Sequence, residues 1–241
     1  MFNKSRKYSY ADQKNLSAKR RGIIFIVLLL FIIYLLITNF FFSMRILENT
    51  SMTPSLNYGD RFIFSSLGIK RILPDLPFFN ALPAERGNVV LINRNNGRSS
   101  GLLKMAFDKM LKFLSANKIG LPGMDEQVFI KRVIALPGDT ISMNNYVLRI
   151  QPAGEKYIFT EFELSNKLYE INIPNVPALW DEALPFSGNM EKIVLGNDEF
   201  FVLSDDRANT NDSRTWGTVP AAFISGRALL RYWPLNKMGL P

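Results

Sequence analysis

Residues 129–139 read FIKRVIALPGD, an apolar, partly β-branched run closed by the turn formers Leu136-Pro137-Gly138-Asp139. Such residues fit a pleated strand, and Pro followed by Gly fits the centre of a tight turn. The same grammar recurs on either side. Short β-type runs fall at Arg61 to Phe64, Asn88 to Ile92, Val128 to Ala135, Thr140 to Ser142, Tyr146 to Ile150, Phe200 to Leu203 and Ala228 to Trp233. Asn57-Tyr58-Gly59-Asp60 and Leu195-Gly196-Asn197-Asp198 supply further turns between them. The pattern predicts a mainly β, antiparallel body with few helices.

One segment departs from it. Over 101–116, Leu103, Phe107, Met110 and Leu114 recur at helical spacing while Lys104, Asp108 and Lys112 lie on another face. This is the pattern of an amphipathic helix, packed on the sheet or lying on lipid. It sits in the stretch 94–127.

The composition narrows the chemistry. With 47% apolar residues the chain can bury a core, and it contains neither Cys nor His. Thiol nucleophiles, Cys/His metal sites and Ser-His-Asp arrangements are therefore excluded, and no metal or cofactor is expected. The net charge of +8 does not read as a nucleic-acid face, because it is concentrated at one end. Lys4, Arg6, Lys7, Lys14, Lys19, Arg20 and Arg21 face only Asp12 within residues 1–22, and the remainder is close to neutral.

That basic segment precedes IIFIVLLLFIIYLLITNFFF, residues 23–42, without a single charge. At about 1.5 Å per helical residue it is long enough to cross a hydrocarbon core of roughly 30 Å. The basic flank predicts a cytoplasmic N-terminus and a body on the opposite face of the membrane. The sequel Ser43-Met44-Arg45 is a poor cleavage site for a leader.

Three polar features interrupt the β pattern of the body. Ser51 lies in the short loop Thr50-Ser51-Met52-Thr53-Pro54, where a Ser ordinarily makes a turn. Lys131 sits inside the apolar run, on the strand face opposite Ile130 and Arg132, where a Lys is ordinarily solvated. Residues 204–217, SDDRANTNDSRTWG, mix acids, arginines and hydroxyls but lack the glycine of a calcium loop. They suit an internal ion-pair network with a hydroxyl, such as that of Thr210, able to orient a lysine.

Chemistry links the first two. A Ser hydroxyl needs a base, and with His absent a neutral Lys is the best one remaining. Its reference pKa near 10.4 leaves about one molecule in a thousand neutral at physiological pH. Burial among Phe129, Ile130 and Val133 would lower that value, at roughly 3 to 4 kcal/mol of differential destabilisation of the ammonium.

Four blocks in fixed order after an apolar anchor, SMTPSL from Ser51, RGNVVLI from Arg86, FIKRVIALPGD from Phe129 and SDDRANTNDSRTWG from Ser204, resemble the type I signal peptidases, the bacterial leader peptidase family of Ser/Lys proteases. The resemblance implies that Ser51 is the nucleophile and Lys131 the general base. It implies that Thr210 helps position the Lys, where many relatives have Ser. Arg132, Asp205, Arg207, Asp212 and Arg214 correspond to residues whose ion pairs hold the site together. The oxyanion hole in relatives uses the N–H of the nucleophile and often a hydroxyl two residues earlier, where this chain has Asn49. Ser204 stands where Gly is common, and Asp206 where Asn is common.

Leu47, Met52, Leu91 and Ile130 match positions lining small apolar pockets. The resemblance thus implies cleavage of secretory precursors after a small residue at −1 with another at −3. The implied layout is a basic cytoplasmic segment 1–22, an anchor 23–42 in the bacterial cytoplasmic membrane, and a catalytic body 43–241 on its outer face, with residues 94–127 as an insertion relative to compact members and 146–196 as a variable β subdomain. The partners are secretory precursors and membrane lipid, not nucleic acid. Two other readings share features with this one. A self-cleaving repressor-type Ser/Lys protease is opposed by the anchor, and a tethered binding module without catalysis would keep the fold but not the turnover.

Overall fold

The computed structural model describes residues 19–33, 42–66, 85–94, 111, 127–175 and 188–241. The chain divides into a unit ending at Phe41 and a second comprising Phe42–Pro241. In the first, residues 19–33 are helical and the apolar side chains from Ile23 to Ile33 are exposed. Among the described residues no helix is long and apolar enough to cross a membrane. The expected span continues into residues 34–41, which lie outside those described. Its expected end is displaced, because Phe42 opens a strand and pairs with Ser65.

The second unit is built on strands, as the alternation and turns predict. They are β1 (Phe42–Ile46), β2 (Arg61–Ser66), β3 (Val89–Asn93), β4 (Val128–Ala135), β5 (Thr140–Asn144), β6 (Val147–Gln151), β7 (Phe159–Thr160), β8 (Met190–Val194), β9 (Glu199–Leu203), β10 (Val219–Pro220) and β11 (Ile224–Trp233). A short helix, α1 (Ser213–Trp216), and two 3-10 turns at Ala221–Phe223 and Leu235–Lys237 complete the unit's described elements. One sheet runs β1-β2-β11-β3-β4-β9-β10 and the other β7-β6-β5-β8, and every strand pair in both is antiparallel. The predicted amphipathic helix over 101–116 falls outside the described residues, apart from Leu111, which is helical.

Turn chemistry sets the registers. The Asp139 N–H donates to the Leu136 carbonyl at 3.1 Å, with Gly138 at φ +81, so Pro137 and Gly138 occupy the two central positions that suit them. Asp139 then accepts from Leu136 N–H at 2.8 Å and pairs with Arg86 at 2.8 Å. Between β5 and β6 the loop is only Asn145-Tyr146, both at positive φ, as a two-residue hairpin requires.

The central strands are buried on both faces. Val89 and Leu91 join Leu47, Met52, Phe62, Phe64 and Ile130 in one apolar cluster. Val90 and Ile92 point the other way and pack with Val133, Phe200 and Val202. A third cluster joins the small sheet to the large one through Ile134, Ile141, Leu148, Ile150, Phe201 and Leu203. Two-sided burial explains why Val128 to Ala135 reads as a nearly continuous apolar run.

Gly226 marks where strands approach too closely for a side chain. A Cβ there would lie 2.4 Å from the Ser65 backbone oxygen, in a strand held between β2 and β3. Gly226→Ala is expected to lower the unfolding free energy by about 1 to 3 kcal/mol through this overpacking. Chemical denaturation checks it, and an unchanged midpoint would mean that the strands can separate at no cost.

Candidate active site

Ser51 lies in the loop that returns from β1 to β2. The loop is tied at its ends by Leu47 N–H to the Asp60 carbonyl and Gly59 N–H to the Leu47 carbonyl, each 2.9 Å. Leu47, Met52 and Leu56 anchor it in the apolar cluster beneath, which leaves Ser51 only 1% exposed. A Ser at a turn would ordinarily be solvated; here the buried flanks carry it inward.

The Ser51 hydroxyl donates to Asn49 Oδ1 at 2.7 Å, and the Ser51 N–H donates to the same oxygen at 3.1 Å. Asn49 therefore accepts here rather than donates. Its carbonyl oxygen takes up both the N–H and the hydroxyl of Ser51. The Ser51 carbonyl in turn accepts from Asp206 N–H at 3.0 Å.

Lys131 occupies the middle of β4, opposite Val90 of β3. It is 2% exposed, and Nζ donates to Ser204 Oγ at 2.8 Å and lies 5.9 Å from the centre of the Trp216 ring. Burial lowers its pKa from the ordinary 10.5 to about 8, against the opposing pull of Asp212, Asp205 and Asp206. An amine in that range is substantially neutral under mildly alkaline conditions and can take a proton. Residues 204–206 thus touch both candidates, Lys131 through Ser204 and Ser51 through Asp206. Among the described residues no hydrogen bond joins Ser51 Oγ to Lys131 Nζ.

The polar stretch after β9 is an ion-pair scaffold. Arg132 grips Asp205 with two hydrogen bonds, Nε to Oδ1 at 2.8 Å and Nη2 to Oδ2 at 2.6 Å, and reaches the Gly87 carbonyl at 2.7 Å. Its guanidinium also lies 4.3 Å from the Tyr169 ring centre. Arg214 grips Asp212 through Nε at 2.9 Å and Nη2 at 2.8 Å, and spans to the carbonyls of Arg207 and Asn209. Burial acts to raise the Asp212 carboxyl, but bonds from Arg214 and from Ser204 N–H hold it below the usual carboxylate range. Arg207 is buried against Glu161, which also accepts from Tyr169 Oη at 2.7 Å and Leu148 N–H at 2.9 Å.

Thr210 is half-buried, and its carbonyl accepts from Asp212 N–H at 2.8 Å. Among the described residues no hydrogen bond joins its hydroxyl to Lys131. The candidate pocket residues Leu47, Met52, Leu91 and Ile130 share one apolar cluster. Glu161, Tyr169, Trp216 and the lysine-contacting role of Ser204 were outside the sequence reading. Ser204 falls opposite Lys131 because β9 pairs Leu203 with Arg132, a register that the sequence does not mark.

Known proteins resemble the chain over most of its length. The chain is 29% identical over 205 residues to a signal peptidase I of Leptolyngbya laminosa, covering 84% of this chain and 74% of that protein. It is 23% identical over 207 residues to signal peptidase IB of Staphylococcus aureus, covering 86% of each. It is 26% identical over 195 residues to the chloroplastic thylakoidal processing peptidase 1 of Arabidopsis thaliana, covering 80% of this chain and 42% of that protein. The family described as "Signal peptidase, peptidase S26" matches residues 20–233, a span that takes in both the buried serine and the buried lysine, and the chain belongs to that family as a serine peptidase.

Proposed function

We propose that this peptidase is a membrane-anchored endopeptidase that cuts signal peptides from secreted precursors, with Ser51 as nucleophile and Lys131 as general base. The observation that carries the reading is a buried amine whose pKa is lowered to about 8, in a family whose membership supports signal-peptide removal. In this mechanism neutral Lys131 takes the Ser51 proton as Oγ attacks the scissile carbonyl, and returns it to the leaving amine. Water, deprotonated by the same amine, then hydrolyses the acyl-enzyme. For the first step the Ser51 hydroxyl turns from Asn49 toward Lys131. The Ser51 N–H stabilises the oxyanion once Asn49 Oδ1 has left it, and an outward-turned Asn49 amide could add a second donor. Arg132, Asp205, Arg207, Asp212 and Arg214 hold the 204–214 segment against the sheet.

Leu47, Met52, Leu91 and Ile130 form small pockets that admit Ala or Gly at −1 and −3 and exclude larger side chains. Residues 1–22 form a cytoplasmic segment and 23–41 an anchor in the bacterial cytoplasmic membrane, ending before the strand that opens at Phe42. The body, Phe42–Pro241, acts on the outer face, with 94–127 an insertion and 146–196 a variable β subdomain. Tethering holds the site beside the membrane, where the precursor's own apolar segment delivers the cleavage site at raised effective concentration.

The purified protein in detergent is expected to cut a precursor with an Ala-x-Ala site once, after the second Ala. Enlarging that Ala to Leu is expected to lower kcat/KM about 100-fold. A folded preparation that leaves the Ala-x-Ala precursor intact overturns the reading.

A further inference from the structure

The Lys131 amine has a hydroxyl partner that the order of motifs does not point to. Ser204 is 0% exposed, and its Oγ accepts from Lys131 Nζ at 2.8 Å. We infer that Ser204, rather than Thr210, is the positioning residue that orients Lys131 toward Ser51, an inference that rests on the Ser51/Lys131 reading above.

Three observations carry it. The first is register: β4 and β9 are antiparallel with Arg132 opposite Leu203, which places Ser204 at the end of β9 against Lys131. The second is rigidity. Ser204 N–H donates to Asp212 Oδ2 at 2.9 Å, and Arg214 holds that carboxylate through two side-chain bonds. The hydroxyl is thus carried on a fixed, buried backbone, as a positioning group must be. The third is the position of Thr210, half-buried and without a hydrogen bond to the amine among the described residues.

The chemistry follows from the lysine side chain. Four rotatable bonds leave the amine free to point in many directions, and only one serves the reaction. A bond from one N–H to Ser204 fixes the nitrogen, so the lone pair of the neutral amine points away from Ser204. The groups facing Nζ are Asp205, Asp206, Asp212 and Arg214 from the 204–214 segment and the Trp216 ring, while Val90 lies opposite on β3. All of these charges remain when Ser204 is replaced, so a change in the pH profile reports the hydroxyl itself.

The test is precursor cleavage by the full chain in detergent, comparing Ser204→Ala, Ser204→Gly, Thr210→Ala and Lys131→Met, with thermal unfolding measured on each. Ser204→Ala and Ser204→Gly are expected to lower kcat by about 10- to 100-fold with little change in KM. The rise of activity with pH should also move to lower pH, because the ammonium loses an acceptor. Thr210→Ala is expected to lose less. Folded Ser204 variants with unchanged kcat and an unmoved pH rise, or a larger loss in Thr210→Ala, overturn the inference. Lys131→Met separates the two levels: if it keeps turnover, the dyad reading itself fails, whereas an inactive Lys131→Met beside a fully active Ser204→Ala overturns only the role of Ser204.

Discussion

Lys131→Met and Ser51→Ala are each expected to lower kcat/KM by about 10⁴-fold or more, while Lys131→Met makes the protein more stable at neutral pH. The opposite signs have one cause. Folding takes the amine from water into the sheet, and its pKa falls from 10.5 to about 8 with burial as the largest cause. Between about pH 8 and 10.5 the unfolded chain holds a proton that the folded chain has shed, so stability rises with pH across that window. Below about pH 8 the folded state carries the whole penalty, about 3 kcal/mol. Methionine has no such term, and after loss of the bond to Ser204 a net gain of about 2 kcal/mol remains. Denaturation at pH 6.5 and at pH 10.5 checks it: the gain should be clear at the lower pH and vanish at the higher. A variant no more stable than the parent at pH 6.5 would show that the amine costs nothing to bury. Wild-type kcat/KM should correspondingly rise through about pH 8, and a rise only near pH 10 would contradict a buried base.

Arg207→Met is expected to destabilise the body by about 3 to 5 kcal/mol, because it strands a buried carboxylate. Glu161 and Arg207 are both buried and pair with one another across the junction between the small sheet and the 204–214 segment. Two further nitrogens of Arg207, Nε and Nη1, are buried without a hydrogen-bond partner among the described residues, so even the intact pair is costly. Adding Glu161→Gln removes the stranded charge and keeps a carbonyl oxygen for Leu148 N–H. The double variant should therefore recover most of the loss in urea denaturation. Equal stability of the single and double variants would mean that the charge of Glu161 is solvated.

The strands read from the sequence are those whose residues obey a strong pattern. β4 and β3 are runs of apolar residues because both faces are buried, and β5 and β6 alternate between buried and more exposed residues, although Tyr146, read as part of the second strand, lies in the turn. β8, Met190–Val194, carries no such pattern, because most of it is exposed and no alternation marks it. β1 was hidden for a different reason: Phe42 ends an apolar run whose hydropathy masks the change to extended backbone. β7 and β10, two residues each, depend wholly on their neighbours.

The site divides along the same line. Burial of Lys131 was legible in Phe129, Ile130 and Val133, because flanking apolar residues determine solvent access. Its hydrogen-bond partner was not, since the choice between Ser204 and Thr210 depends on the pairing of β9 with β4 and on the path of the following loop. The orientation of Asn49 was equally hidden. An amide can donate or accept, and only the position of the Ser51 N–H decides which.

That orientation gives the resting enzyme a false occupant. An incoming peptide carbonyl that reaches the Ser51 N–H replaces an oxygen already there, so the exchange conserves the number of hydrogen bonds and releases Asn49 to water. Little affinity accrues at the point of cleavage itself. On the proposed reading, grip on the peptide comes from apolar side chains and from the tether, and a short peptide lacking a hydrophobic stretch is a poor competitor for the seat that Asn49 keeps.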